Sequence, residues 1–250
     1  MLTFDIRKTT IVLLGVAALL VLVSAVATYA RTELGIVRIA GVTYLQVLRI
    51  DRELNNLPTW YSAAQLLAVA LSLAAIGGRA AQRHLRFRWW ALATLVVLMS
   101  MDETVRIHER LGVFTRNLTG LDLPWVVPAG LLVLIVLAAT RAVWRTVTRR
   151  DLLRFVAGAG VFVAGAIGME VLHKLVSPDR DGLLHFALLH AEEGLEIAGV
   201  ALLLRAAWLV LAPTGRLVIG FGPEQPAQTT PRAPAEMLDV TRYEAQGTAP

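Results

Sequence analysis

The sequence predicts an all-α fold, a polytopic integral membrane bundle of about six transmembrane helices. The chain has 250 residues, of which 56% are hydrophobic, and a mean hydropathy of +0.61. This is more apolar than an ordinary soluble domain. Apolar runs of about 20 residues, each long enough to cross a bilayer core, alternate with short arginine-rich segments. The chain has no cysteine, which excludes disulfides and cysteine-ligated iron–sulfur clusters.

Six apolar runs account for most of residues 1–212, which we interpret as one transmembrane domain. The expected spans are residues 11–30, 59–79, 89–112, 125–147, 155–176 and 183–211. The first run also resembles a signal peptide, because basic residues precede it and Ala25-Val26-Ala27 could be a cleavage site. Its length favours a retained span.

Two segments outside the spans have distinct compositions. Residues 31–57 place Arg38 and Arg49 among apolar residues, which predicts an extracytoplasmic connector lying at the membrane interface. Residues 213–250 are rich in Pro, Thr, Ala and Gly without periodicity, so we expect a disordered cytoplasmic tail.

The distribution of basic residues predicts the orientation in the membrane. Lys and Arg are dense before span one, after span two and after span four, so the positive-inside rule places both termini in the cytoplasm. The net charge of +5 does not indicate nucleic acid as a partner, because the arginines fall in these loops and form no basic-aromatic face. The expected partner is the lipid bilayer. In span five, Gly160, Ala164 and Gly168 form a stripe that would let a neighbouring helix approach closely.

Charged residues at the outer ends of spans three, five and six are the strongest functional signal. Ionisable groups inside membrane segments are costly, so each is a functional-site hypothesis. The predicted topology brings all three ends to one membrane face, at overlapping depths. The helical period puts Asp102, Arg106 and Glu109 on one face of span three, whereas Glu103 and His108 diverge from it and are expected to be solvated.

Glu170-Val-Leu-His173 places a carboxylate and an imidazole on one helix face, as in di-iron and di-manganese bundle proteins. Those proteins carry two such motifs, and this chain has one. Carboxylates and imidazoles without sulfur suit iron, manganese or zinc, in a mononuclear or dinuclear site. The candidate ligands are Asp102, Glu109, Glu170, His173, Glu192 and Glu196.

The remaining polar residues suggest how such a site could act on a substrate. Glu193 and His190 could orient a ligand or act as a general base. Arg106 could orient the anionic headgroup of a lipid or other amphiphile. The leading hypothesis is thus a metal-binding protein near the extracytoplasmic face, which could be a metalloenzyme.

Two other functions are compatible with the same residues. A proton- or ion-coupled transporter would use the carboxylates as relay groups, although transporters hold substrate near the midplane on broken helices. A structural membrane subunit would pair Arg106 and Arg110 with the neighbouring acids in an internal ion-pair network.

Three stretches resemble a group of uncharacterised bacterial multi-pass membrane proteins. They are residues 56–62 (Asn-Leu-Pro-Thr-Trp-Tyr-Ser), 99–111 and 192–196. That group carries a similar Asp-Glu-x-x-x-x-His-Glu helix end and a later Glu-Glu-x-x-Glu. The resemblance covers spans two to six, implies that the motifs act as one unit and implies no activity. The expected location is therefore the bacterial inner (plasma) membrane.

Overall fold

The computed structural model describes residues 2–35, 48–50, 56–107, 117, 126–176 and 182–219. Their compact body, Thr3–Val218, is almost entirely helical; in the other unit, residues 1–2 with 219–250, only Leu2 and Ile219 are described. The described α-helices are α1 (Ile6–Thr32), α2 (Leu57–Arg79), α3 (Arg83–Val105), α4 (Val126–Ala139), α5 (Arg141–Trp144), α6 (Arg149–Val163), α7 (Glu170–Val176) and α8 (Leu183–Leu211). A π-helical segment, Ala164–Met169, connects α6 to α7. Strands β1 (Leu2–Asp5) and β2 (Arg216–Ile219) form a two-stranded sheet.

Four of the described helices are long and apolar enough to cross a membrane. They are Ile6–Thr32, Leu57–Arg79, Arg149–His173 and Leu183–Leu211. The third of these consists of α6, the π-helical segment and the first part of α7. The predicted all-α class is confirmed. The other two predicted spans overlap α3 and α4, which are not among these four; α3 begins with several arginines, and the described α4 has 14 residues.

Asn56 and Pro58 start α2 where the sequence indicated a helix start. Asn56 accepts a hydrogen bond from the Thr59 backbone N–H at 2.8 Å, and Pro58 occupies the first turn. The amide oxygen thus satisfies a donor that the first helical turn leaves without an intrahelical acceptor.

The central helix is α8, which packs against α1, α2 and α6. The buried hydrophobic cluster joins five helices, α2, α3, α5, α6 and α8, through aliphatic and aromatic side chains. Its members include Leu66, Val69 and Leu73 of α2, Trp89 and Leu92 of α3, Phe155 of α6, and Val200 and Leu204 of α8. Helix α8 also contacts α7 and the π-helical segment, so its polar residues can face different neighbours.

Glycines bring α6 and the π-helical segment against α8, but on a different face from the predicted stripe. A Cβ built on Gly158 would lie 2.9 Å from the Leu203 nitrogen, and one on Gly165 would lie 2.8 Å from the Glu192 carbonyl oxygen. At Gly160 and Gly168, no atom of the described residues lies within 4 Å of the same position. The sequence correctly predicted that small residues of this segment let a helix approach closely. The residues that make the contact are Gly158 and Gly165 and not the predicted stripe, because the segment carries glycines on more than one face.

The two ends of the helical body meet. The Ile6 N–H donates to the Gly215 carbonyl at 3.0 Å. Asp5 caps α1 by accepting the Lys8 N–H at 2.9 Å, and this backbone hydrogen bond lowers the pKa of the exposed Asp5 carboxyl below its ordinary 3.8.

Parts of the predicted connector and tail can be placed. Strand β2 lies inside the segment that was expected to be disordered, so residues 216–219 correct that expectation. Residues 220–250 of the tail and residues 36–47 and 51–55 of the connector lie outside the described residues.

Candidate metal centre

Helix α3 ends at Val105, whereas the sequence predicted a span that continues to residue 112. Arg106 has a left-handed backbone (φ 55°, ψ 50°), and its N–H donates to the Asp102 carbonyl at 2.7 Å. This conformation is uncommon for a residue other than glycine, and it turns the chain out of the helix. Helix α3 therefore stops before Arg106, and the shared helical face of Asp102, Arg106 and Glu109 stays a prediction. Glu109 lies outside the described residues.

Three carboxylates converge where the end of α3 meets α8. One oxygen from each of Glu103, Glu193 and Glu196 lies within 4.8 Å of the other two, and all three residues are partly buried. We call this group the acidic triad. Glu193 and Glu196 are three residues apart and thus on adjacent turns of one helix side, and Glu103 reaches them from the last turn of α3.

Glu193 carries the most constrained carboxylate of the acidic triad. It lies seven and eleven residues before Val200 and Leu204, which puts it on the α8 face that contributes to the core. Its Oε2 is buried and has no hydrogen-bond partner among the described residues. A buried carboxylate oxygen without a partner is costly, so this atom is suited to a ligand that is a cation or a proton donor.

The electrostatics of the acidic triad also favour a bound cation. Glu103 and Glu192 repel the Glu193 carboxylate, and Arg106 attracts it. Two unit charges 4.8 Å apart repel by about 3.5 kcal/mol at an effective dielectric constant of about 20. If all three carboxylates are ionised, they and the one guanidinium together carry a charge of −2, which a divalent cation would neutralise.

A second group joins α7 to α8 beside the acidic triad. His173 Nε2 lies 2.5 Å from His185 Nδ1, and the ring centroids are 4.3 Å apart. The other ring nitrogen of His173, Nδ1, lies 3.9 Å from Glu192 Oε2. We call His173, His185 and Glu192 the histidine cluster. Glu192 and Glu196 are four residues apart on α8, so the two groups occupy adjacent turns.

His190 takes part in a different network, on the α1 side of α8. Its Nδ1 lies 2.6 Å from the Phe186 carbonyl oxygen, and its Nε2 lies 3.0 Å from Ser24 Oγ. Ser24 Oγ also accepts the Ile50 N–H at 2.9 Å. The arrangement that satisfies every group has the proton of His190 on Nδ1, donated to Phe186, and the Ser24 hydroxyl donating to Nε2. These contacts favour a packing role for His190, whereas the predicted role was that of a base or orienting group.

The structure thus divides the predicted ligands among several places. Glu196 lies in the acidic triad, whereas His173 and Glu192 lie in the histidine cluster. Glu170 lies three residues before His173 on α7, but its side chain lies outside the described ones. Asp102 is not a member of the acidic triad; its neighbour Glu103 is. The expectation that Glu103 diverges into solvent was wrong, because the helical period alone does not fix which of two adjacent acids faces α8.

Two further buried polar side chains lie on α2 near the acidic triad. Ser62 and Gln65 are 1% and 4% exposed, and neither Ser62 Oγ nor the two amide atoms of Gln65 have a hydrogen-bond partner among the described residues. Ser100 Oγ donates to the Ala63 carbonyl at 2.8 Å, and Ser100 is three residues before Glu103. Ser62 and Gln65 therefore lie within about two helical turns of the acidic triad. The sequence does not single out either residue, because single polar residues in an apolar run are common.

The fold and the site together define a helical protein with candidate membrane spans and an acidic cluster that could hold a metal ion. The model of one protein family, described as a domain of unknown function (DUF8692), matches residues 10–211. The chain belongs to this family. A search of the curated proteins and a search of the solved structures found no match. The matched range contains the acidic triad and the histidine cluster.

Proposed function

We propose that this protein is an integral membrane protein with six helical spans that binds a divalent metal ion in the acidic triad. The observation that carries the metal proposal is the buried, unpartnered Oε2 of Glu193 within a group whose carboxylate oxygens lie within 4.8 Å of one another. Metal–oxygen bonds of about 2.0–2.2 Å place ligand oxygens at separations up to about 4.4 Å, so small movements would close the three around one ion.

The proposed ion is Mn²⁺ or another hard divalent cation, because all three ligands are carboxylates. Iron and zinc would suit the same site if imidazoles also served as ligands. The acidic triad begins about 15 Å along α8, counting from Leu183 at 1.5 Å per residue. Helix α8 has 29 residues and is about 43 Å long by the same measure, so the acidic triad lies nearer to its first end than to its last.

Mn²⁺ titration followed by electron paramagnetic resonance tests the metal proposal. Free Mn²⁺ gives a sharp signal that is lost on binding, so the wild-type protein in detergent should remove about one equivalent. Glu193→Gln should weaken binding at least tenfold, since it removes a charged ligand while keeping the side-chain shape. Glu103→Gln, near the end of α3, supplies a second variant that disturbs packing less.

Glu33→Gln is the matched control, because Glu33 is exposed at the end of α1. It should bind Mn²⁺ as the wild type does. The proposal is overturned if the wild type leaves Mn²⁺ free at millimolar concentration, or if both Glu193→Gln and Glu103→Gln fold and bind as tightly as the wild type. Failure to bind would favour a structural subunit in which Arg106 neutralises the acids.

The contact between the ends of the helical body supports an even number of spans. Because Ile6 and Gly215 are hydrogen bonded, we expect both ends on one side of the membrane, and four or six crossings would both satisfy this. The four candidate spans together with α3 and α4 give six. The basic residues near these ends and loops favour the cytoplasm of a bacterium for that side.

Cysteine labelling tests the orientation, because the chain has no native cysteine. Leu34→Cys, at an exposed site after α1, should react with a membrane-impermeant maleimide in intact cells. Thr214→Cys, at an exposed site after α8, should react only after permeabilisation. The reverse pattern, or the same accessibility at both sites, would contradict the topology.

The proposed substrate of a metal-dependent reaction is a lipid or other amphiphile in the outer leaflet. Its support is the charge arrangement: Arg106 attracts Glu193, so a cation near the acidic triad and the guanidinium could both face an anionic headgroup. The test is binding of anionic vesicle lipids to the Mn²⁺-loaded protein. Arg106→Gln should weaken that binding and leave Mn²⁺ binding intact; an unchanged lipid affinity would refute this role.

Proton- or ion-coupled transport is the second candidate function. It is favoured by Ser62 and Gln65, since buried polar groups without partners in a membrane helix are typical of water-filled paths. Reconstituted protein should then carry protons across liposomes, and Glu193→Gln should abolish the flux. Mn²⁺ binding without any flux would favour the metal-binding function alone.

A further inference from the structure

We propose that the histidine cluster is a second, separate metal site, in which His173 Nε2 and His185 Nδ1 bind a transition-metal ion and Glu192 orients His173. This site is distinct from the acidic triad, because two of its residues are histidines and one of them, His173, lies on α7.

The positions of the two imidazoles carry the argument. The 2.5 Å separation of His173 Nε2 and His185 Nδ1 is shorter than the usual 2.7–3.2 Å of a hydrogen bond to nitrogen. At this separation the two nitrogens fit a hydrogen bond between the rings, and they must move apart to bind one ion. Two imidazole nitrogens that bind one tetrahedral Zn²⁺ at about 2.0–2.1 Å are about 3.3 Å apart. A rotation that moves the rings apart by roughly 0.8 Å would make room for the ion.

Glu192 provides the second part of a common metal-site arrangement. A histidine that binds metal through one ring nitrogen usually donates its other N–H to a carboxylate, which fixes the tautomer and the ring orientation. His173 Nδ1 lies 3.9 Å from Glu192 Oε2, longer than a hydrogen bond, and a small movement of the carboxylate would let it accept the Nδ1 proton. A proton held on Nδ1 would leave the lone pair on Nε2 as the metal ligand, so Glu192 would be a positioning residue.

Partial burial makes the histidine cluster accessible to an ion. The side chains of His173 and Glu192 are 14% and 21% exposed, and His185 is half-buried. Water or an external ligand can therefore complete the coordination sphere. Imidazole nitrogens select Zn²⁺, Cu²⁺ or Fe²⁺, whereas the acidic triad selects Mn²⁺ or Mg²⁺. The protein would thus hold two ions with different preferences on adjacent turns of α8.

Cu²⁺ electron paramagnetic resonance tests the second site, since nitrogen hyperfine coupling reports imidazole ligands directly. The purified full-length protein should bind Cu²⁺ with coupling to two nitrogens. His185→Ala and His173→Ala should each remove that signature and weaken Zn²⁺ binding at least tenfold in competition with a chelator. His84→Ala is the matched control, because His84 is exposed in the first turn of α3, and it should leave both readouts unchanged.

Two further variants separate this proposal from the acidic triad and from a structural role. Glu193→Gln should keep the nitrogen coupling while losing Mn²⁺ binding. Glu192→Gln should keep two coupled nitrogens but shift the Cu²⁺ spectrum, a change that lost packing alone would not produce. The proposal is overturned if folded His173→Ala and His185→Ala proteins bind Zn²⁺ and Cu²⁺ as the wild type does. Absence of nitrogen coupling in the wild type also overturns it, and indicates that the imidazoles share only a proton.

Discussion

Gly165 lies where the π-helical segment touches α8, so its substitution measures how far helix packing supports the acidic triad. A Cβ at this position would lie 2.8 Å from the Glu192 carbonyl oxygen and 2.9 Å from Glu196 Cγ. Carbon atoms in contact are normally about 3.5–4.0 Å apart. In Gly165→Ala the two segments must therefore separate by roughly 0.5–1 Å, or Glu196 must move.

The expected loss of stability follows from two opposing effects. Overpacking a close contact costs about 1–3 kcal/mol, whereas alanine in place of glycine in a helix gains about 1 kcal/mol. Gly160→Ala is the matched control and should have only the gain, because no atom in the described part of the chain lies within 4 Å of its Cβ position. The gain is common to both variants, so Gly165→Ala should be less stable than Gly160→Ala by about 1–3 kcal/mol.

Unfolding of both purified variants in detergent, followed by circular dichroism, measures this difference. Mn²⁺ titration of the same samples should show weaker binding for Gly165→Ala, since the clash displaces Glu196. Equal stability of the two variants would refute the packing argument. A less stable Gly165→Ala protein with unchanged Mn²⁺ affinity would refute the link between this contact and the acidic triad.

Three other perturbations have predictable outcomes. Ser24→Ala removes a hydroxyl that bridges a buried imidazole and a backbone N–H, so it should destabilise the protein by about 1–3 kcal/mol. Ser72→Ala removes only a hydrogen bond within its own helix and should destabilise the protein less. Leu66→Ala should lower the free energy of unfolding by about 2–5 kcal/mol, because Leu66 is 2% exposed and its loss leaves a cavity. Leu67→Ala should change the stability little, since Leu67 is 45% exposed. Equal losses of stability would contradict the assigned core. The pKa of Asp5 is lowered in the folded state, so its stabilising effect is present above the ordinary pKa and is lost as the pH falls through the lowered value. Asp5→Asn should therefore flatten the acid limb of a stability–pH curve, and an unchanged acid limb would contradict the cap.

Helix position was predictable where it depends on local chain properties. The predicted span at 59–79 corresponds to Leu57–Arg79, and the one at 183–211 to Leu183–Leu211. Apolar length, the cap at Asn56 and the proline in the first turn act within one segment, so the order of residues is enough. The end of α3 was predicted seven residues too late, because the left-handed turn at Arg106 depends on what surrounds it.

The composition of the site was only partly predictable. The helical period relates the side chains of one helix to each other, but not to a neighbouring helix. It therefore could not decide between Asp102 and Glu103 at the end of α3. The same limit explains why the face of the glycine contacts was wrong, and why the proximity of His173 to His185 was not foreseen.

The sequence by itself determined that the chain is helical, which segments are apolar enough to span a membrane, and that acids and histidines cluster near helix ends. These properties follow from composition and from spacing along single segments. Only the tertiary structure decided that Glu103, Glu193 and Glu196 meet in one place and that His173 pairs with His185 in another. Which side chains meet depends on the rotation and height of each helix against α8, and close packing at residues such as Gly165 sets both.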